Sequence, residues 1–105
     1  MSSKGNNNGE MKLVYTTAKR RDANRMAKML VNEGLAACIN MFAIKSIYRW
    51  KGKIEEGHEI AMFIKTGKPK HVIKRIREIH PYELPAILTF NARSYKEFEA
   101  WLKVK

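Results

Sequence analysis

The spacing of hydrophobic residues along the chain predicts strands and helices in alternation. Apolar and β-branched residues favour strands over 12–17, 53–66 and 86–91. After Asp22 and after Pro69, apolar residues instead recur every three or four positions, which is typical of amphipathic helices. Asp22 is the expected cap of the first helix and Gly34 its expected stop. Pro69 suits the first turn of the second helix, which His80-Pro81 should end.

A long β-hairpin is the most extended feature of the pattern. Strand character runs over 35–42 and resumes over 46–50, which predicts one long or bulged strand. Lys51-Gly52 is the expected turn, and 53–66 is the returning strand. Near the end of the chain, Ser94 and Glu97 predict a capping box that begins a terminal helix. Its apolar side would consist of Tyr95, Phe98, Trp101 and Leu102.

The order of these elements is βαββαβ with an added helix, which predicts an α+β, ferredoxin-like fold with both crossover helices on one face of an antiparallel sheet. The returning strand carries Ile60, Met62 and Ile64 on one side but also Ala61 and Phe63 on the other. A solvated face would normally be polar. We therefore expect a second copy of the chain to cover that face, and hence a homo-oligomer.

Length and composition predict a single domain over residues 11–105. The chain has 105 residues, and its first ten are rich in Ser, Asn and Gly, which predicts a flexible tail over 1–10. No apolar run approaches the ~20 residues that a membrane span requires. The start lacks the apolar core of a secretory signal, and a lone Cys38 cannot form an intramolecular disulfide. We expect a cytoplasmic protein without a membrane partner.

The charge of the chain is strongly positive, at +11 from 21 basic and 10 acidic residues. A positive net charge favours anionic partners, such as nucleic acid, acidic proteins or an anionic membrane surface, although it also contributes to solubility. The chain lacks a Gly-rich phosphate loop and the stacking aromatics of an RNA-recognition module. The sequence therefore argues against a nucleic-acid partner, and weak salt-sensitive binding through the basic second helix is kept as an alternative. The residues that would carry it lie on or beside the second helix: Lys68, Lys70, Lys74, Arg75 and Arg77.

Few residues of the sequence are candidates for catalysis or for binding a ligand or metal ion. His80, Tyr82 and Glu83 lie in a stiff segment with two prolines, where a binding site and a locked turn are both open interpretations. Neither a nucleophile nor a second carboxylate accompanies them in the sequence, so we do not expect an enzyme. His58 lies among glutamates and could attract a cation, but a solvated acidic turn is favoured. Cys38 lies among apolar residues, which favours core packing.

Several motifs occur together in order: LVYTT, LAACIN, SIYRWKGKIEEGHEIAMFIKT, HPYELPAI and YKEFEAWL. In this combination the chain resembles the CutA family, the divalent-cation tolerance proteins. The resemblance implies a ferredoxin-like fold, a tight homotrimer built through the long hairpin strands, and no established enzymatic activity. It also implies a role in tolerance of copper and other divalent ions, with copper or another divalent metal ion as a possible bound ligand.

The resemblance also suggests site residues. Metal ligands proposed in bacterial relatives are a cysteine in strand one and two consecutive histidines, but Tyr15 and Ile79 occupy two of these positions here. Of these ligand positions only His80 is retained, and Cys38, which matches the cysteine of the family's LAAC motif, is kept beside it as a candidate metal ligand. A pocket between subunits would use the family's recurring polar set: Trp50, Glu59, Lys65, His80, Tyr82 and Glu83. A regulatory trimer of the PII type, binding a small molecule in such a pocket, is the alternative function.

Overall fold

A four-stranded antiparallel sheet with three helices forms the structure, a computed structural model that describes residues 11–104. The tail predicted over residues 1–10 lies outside the described residues. The strands are arranged in the order β2-β3-β1-β4, the ferredoxin-like topology that the sequence predicts. The elements in chain order are β1 Met11–Ala18, α1 Arg20–Asn32, β2 Cys38–Trp50, β3 Lys53–Thr66, α2 Pro69–Ile79, β4 Ile87–Ala92 and α3 Lys96–Val104.

The ends of α1 confirm one prediction and correct another. Gly34 follows the helix with a positive φ of 76°, as a helix stop requires. Asp22 is not the cap, however, because the helix begins at Arg20 with Lys19 as its N-cap. Asp22 lies within the first turn, where a carboxylate interacts favourably with the helix dipole, and forms an ion pair with Arg25.

The start of α3 differs from the predicted capping box. The backbone N–H of Ser94 donates to the carboxylate of Glu99 at 2.7 Å, so Glu99 takes the role expected of Glu97. The reason is that the helix begins two residues later than Ser94, at Lys96. The predicted aromatic side of the helix is present, since Phe98 stacks between Tyr95 and Trp101.

The long hairpin has a simpler form than the sequence predicts. β2 begins at Cys38, so 35–37 is a loop, and its pairing with β3 runs without a bulge from Cys38 to Trp50. Lys51 and Gly52 form the turn with positive φ at both positions, as type I′ hairpins require. β4 likewise begins at Ile87 and not at 86.

The two faces of the sheet have different surroundings. The inner face carries Val14, Met62 and Ile64, which are fully buried against α1 and α2. The outer face carries Phe42, Leu88 and Phe90, which are 45%, 51% and 46% exposed. Two aromatic contacts link this outer face across the strands, Tyr15–Phe63 and Phe42–Phe63, each with ring centroids 5.5 Å apart. α3 reaches only one end of it, where the Lys65 ammonium lies over the Phe98 ring.

The end of the hairpin extends beyond the sheet. β1 pairs with β3 only from Ile60 to Thr66, so Ile44–Trp50 and Lys53–Glu59 pair only with each other. We call these two segments the hairpin arm. It has seven residue pairs, about 24 Å in length at roughly 3.4 Å per residue. The molecule measures 50 × 27 × 22 Å. Across residues 11–104 none of the helices is long and apolar enough to cross a membrane.

Candidate functional site

The carboxylate of Glu59 is the centre of a polar cluster at the base of the hairpin arm. Glu59 is the last residue of the arm on β3, directly before Ile60 pairs with the end of β1. Its Oε1 accepts a hydrogen bond from the Ser46 hydroxyl at 2.8 Å, and its Oε2 accepts one from the Tyr82 hydroxyl at 2.5 Å. Each carboxylate oxygen therefore has one fixed donor, and the side chain is held in a single position.

Burial and the neighbouring carboxylate raise the pKa of the Tyr82 hydroxyl. Burial is the larger cause, and the hydrogen bond to Glu59 is the second. Both disfavour the phenolate, since the ionised oxygen would be poorly hydrated and would face a negative charge. Tyr82 therefore acts as a hydrogen-bond donor at neutral pH and does not serve as a base.

His80 fixes the loop that presents Tyr82. Its side chain is 8% exposed, and its Nδ1 accepts the backbone N–H of Tyr82 at 3.1 Å. Its Nε2 lies 2.8 Å from the carbonyl oxygen of Thr17, so Nε2 must carry the proton and donate. The imidazole is thus neutral, with both nitrogens bonded to backbone groups. The two rings of His80 and Tyr82 also pack at 4.5 Å.

Sequence reasoning identified three of the four side chains in this group, which we call the Glu59 cluster: Ser46, Glu59, His80 and Tyr82. It missed Ser46, because only the register of the hairpin places Ser46 beside Glu59. It also missed a nearby cation. Gly57 is the cross-strand partner of Ser46, and a Cβ at Gly57 would stand 3.7 Å from the Lys19 ammonium. The cluster therefore has a carboxylate and a cation close to the same strand pair.

Two other residues of the predicted pocket, Lys65 and Trp50, lie far from the Glu59 cluster. Lys65 is six residues from Glu59 along β3, roughly 20 Å away at about 3.3 Å per residue. Trp50 is at the tip of the hairpin, opposite Lys53. Glu83 is exposed in the loop after His80. One chain therefore brings together Glu59, His80 and Tyr82. Trp50 and Lys65 could join them only from another copy, whereas Glu83 lies beside Tyr82 in the same loop.

The two candidate metal ligands do not form a site within one chain. Cys38 is at the start of β2, paired with Lys65, which in turn pairs with Leu13 of β1. His80 instead contacts Thr17, four residues further along β1, and neither ring nitrogen has a free lone pair. Within the described part of the chain, no group of three or more His, Cys, Asp and Glu side chains could hold a metal ion. The residues present in one copy thus do not fit a copper ion.

Comparison with known proteins places this geometry in a family. The model of the CutA1 divalent ion tolerance protein family matches residues 12–105. The Divalent-cation tolerance protein CutA of Archaeoglobus fulgidus is 41% identical over 93 residues, which is 85% of this chain and 91% of that protein.

Solved structures of CutA proteins have the same fold as this chain. The structure of the periplasmic divalent cation tolerance protein CutA from Archaeoglobus fulgidus is similar with a TM-score of 0.86 at 39% identity, covering 90% of this chain and 96% of that one. The PII-like protein CutA from Nostoc sp. PCC 7120 is similar with a TM-score of 0.83 at 30% identity, covering 87% and 92%. The chain therefore belongs to the CutA1 family of divalent ion tolerance proteins.

Proposed function

We propose that this protein acts as a homotrimer in the tolerance of divalent cations such as copper. The observation that carries the assembly is the hairpin arm, which is a two-stranded ribbon with apolar side chains on both of its faces. Ile47 and Ile54 lie on one face, 63% and 60% exposed, and Tyr48 and Trp50 on the other. An isolated hairpin of this kind is only marginally stable in water. Contact with neighbouring copies would stabilise it and cover the outer face.

The trimer is tested by sedimentation analysis of the full chain. We expect a species of three times the 12.2 kDa chain mass. Leu88→Asp places a charge on the half-exposed outer face and should shift the distribution towards monomer. Val31→Asp is the matched control, because Val31 is similarly exposed but lies on α1, away from that face. A folded wild-type monomer at micromolar concentration, or equal effects of the two variants, would contradict the proposal.

Direct copper binding is the narrower form of this function. Because both nitrogens of His80 are bonded within the chain, a copper ion would have to displace Thr17 or Tyr82, or use ligands from several copies. Titration calorimetry with Cu(I) and Cu(II) should compare the wild type with His80→Ala and Cys38→Ala. His71→Ala is the control, since His71 is exposed on α2. Binding that only the first two substitutions weaken supports the copper site, whereas equal binding by all variants rejects it.

A PII-like regulatory function is the second candidate. The Nostoc relative is described as PII-like, and the Glu59 cluster offers a fixed carboxylate with a cation nearby. In this function, a small polar molecule would bind between subunits, beside Glu59 and Tyr82. A thermal-shift screen with nucleotides and phosphorylated metabolites tests it, with Glu59→Gln as the site variant and the exposed Glu55→Gln as the control. A shift in melting temperature that Glu59→Gln abolishes and Glu55→Gln leaves unchanged favours this function over the copper site.

The cytoplasmic location stays a prediction. The Archaeoglobus relative is described as periplasmic, and that description concerns that protein alone. Cell fractionation of the native protein decides between the two compartments.

A further inference from the structure

The outward surface of the two-helix layer carries most of the net charge of the chain. Residues 19–33 and 68–79, which span α1 and α2 with their flanks, contain ten Lys and Arg and three Asp and Glu. Their net charge of +7 compares with +11 for the whole chain. The basic residues noted in the sequence lie on α2, but the fold places a second basic helix directly beside it.

On each helix, three basic side chains form a row. Positions i, i+4 and i+7 lie on one side of a helix, and both rows use this spacing. All six side chains are exposed, on the side of each helix opposite its buried apolar stripe. We call these two rows the basic face: Arg21, Arg25 and Lys28 on α1, with Lys70, Lys74 and Arg77 on α2.

The two rows run side by side. Glu33 at the end of α1 binds Arg75 of α2, and Arg25 near the start of α1 donates to the carbonyl of Ile79 at 3.2 Å, so the helices are antiparallel neighbours. Packed helices have axes about 8–10 Å apart, and seven residues rise about 10 Å. The basic face is therefore a nearly square patch, roughly 10 Å on a side.

The carboxylates of this layer do not neutralise the face. Glu33 and Glu78 both bind Arg75, and Asp22 binds Arg25. The hydrogen bond from Arg75 also lowers the pKa of Glu33. The charge of the Glu33 carboxylate is therefore paired with Arg75 and does not offset the charges of the basic face. Within residues 11–104, Arg21, Lys28, Lys70, Lys74 and Arg77 have no ion-pair partner. Five of the six cations are therefore free for an external anion.

We propose that the basic face binds the phosphate backbone of double-stranded nucleic acid without reading its sequence. Neither helix contains Phe, Tyr or Trp, so the face lacks the stacking platform that binds single strands. The apolar stripes of both helices are buried in the core, so neither helix can insert into a lipid bilayer. The spacing of the two rows, about 10 Å, lies between the widths of the minor and major grooves, about 6 and 12 Å, so long Lys and Arg side chains on the two rows can reach phosphates on both sides of a groove.

The proposal is independent of the proposed function, because the six residues include none of the Glu59 cluster and none of the outer face. It is tested by fluorescence polarisation of a labelled 20-base-pair DNA duplex between 50 and 200 mM NaCl, with the full chain. The site variant is Lys70→Gln/Lys74→Gln/Arg77→Gln. The matched control is Arg93→Gln/Lys96→Gln/Lys103→Gln, which removes the same charge from exposed positions near α3. Circular dichroism and sedimentation should show that both variants keep the fold and assembly of the wild type.

We expect the wild type to bind with an affinity that falls steeply with salt. Each lost phosphate contact lowers the slope of log K against log salt by about 0.9, so the site variant should lose up to about 2.7 units of slope. Its affinity at 50 mM NaCl should fall at least about tenfold, and that of the control by less than about threefold. A second variant on the other row, Arg21→Gln/Lys28→Gln, should also weaken binding.

Three results would overturn the proposal. Equal losses in the site variant and the control would mean that net charge alone attracts the duplex. No duplex binding at 50 mM NaCl, or binding to phosphatidylserine vesicles in the absence of duplex binding, would exclude a nucleic-acid partner. A preference above tenfold between two duplexes of different sequence would exclude binding through the phosphates alone.

Discussion

The inner and outer faces of the sheet carry similar side chains but have different roles. Met62 and Phe63 are adjacent on β3, and the pleat directs one towards the helices and the other away from them. Met62 is fully buried within the chain, whereas Phe63 contacts Tyr15 and Phe42 on a face that α3 covers only at one end. The inner face therefore holds the single chain together, whereas the outer face is left partly exposed and available for the association proposed above. Substitutions on the two faces should therefore differ in how much stability they cost the single chain.

Met62→Ala should cost the most stability, about 2–5 kcal/mol of unfolding free energy, because it leaves a cavity in the core. Phe63→Ala is its matched partner on the outer face. At protein concentrations where the chain is monomeric, Phe63→Ala should cost clearly less unfolding free energy than Met62→Ala, since part of Phe63 is already exposed to solvent. Urea denaturation at low and high protein concentration measures both. Equal costs at low concentration would mean that the outer face stabilises the single chain as much as the core does.

Thr66→Val should cost about 1–3 kcal/mol, because it removes a buried hydroxyl that satisfies two backbone groups. This hydroxyl donates to the carbonyl of Leu35 at 2.6 Å and accepts the N–H of Lys68 at 2.8 Å. Thr17→Val, on the outer face, is the control, since its hydroxyl has no partner among residues 11–104. Thermal and urea unfolding of the two variants provide the comparison. If Thr17→Val were as destabilising, the hydrogen bonds of Thr66 would not be the cause.

Tyr82→Phe should have a smaller effect, of about 1 kcal/mol, because it removes one hydrogen bond to Glu59. The effect should also depend on pH. Since the folded state raises the pKa of Tyr82, the protonated hydroxyl favours folding, and this contribution is complete below the ordinary pKa of tyrosine, near 10. As pH rises above about 10, the wild type should lose unfolding free energy more steeply than Tyr82→Phe. Parallel pH profiles would show that the environment of Tyr82 does not disfavour the phenolate.

Arg75→Gln should have the smallest effect, because its ion pairs with Glu33 and Glu78 lie on the surface. Arg75 holds the pKa of Glu33 below its usual range. The stabilisation should therefore be present at neutral pH, fade as acid protonates Glu33, and be screened at about 1 M salt. Unfolding midpoints at low and high salt measure it. A difference from wild type that persists at 1 M salt would mean that Arg75 contributes by packing and not by charge.

Much of the fold could be predicted from the sequence because it depends on local patterns. Gly34, Pro69 and Lys51-Gly52 mark a helix end, a helix start and a turn through their own backbone preferences, and all three are confirmed. The capping predictions at Asp22 and at Glu97 were wrong by a few residues. Polar side chains near a helix start compete for the same backbone groups, and tertiary packing selects among them.

The candidate site could be predicted less completely. His80 and Tyr82 are close in sequence, and the two prolines beside them indicated a fixed loop. Glu59 joins them from β3, and Ser46 from β2, only because the hairpin register and the position of β1 bring these segments together. The same holds for Cys38, whose separation from His80 along the sheet argues against a metal site within one chain.

The sequence by itself determined the order of the elements, the long hairpin and the presence of two apolar sheet faces, since period-two and helical patterns are local properties. Only the tertiary structure decided which face is covered, because both crossover helices pass on the same side of the sheet. It also decided that α1 and α2 are antiparallel neighbours, so that two separate basic segments form one patch. Charge along a chain can be read from residue types, but its concentration on a surface depends on contacts between residues far apart in sequence.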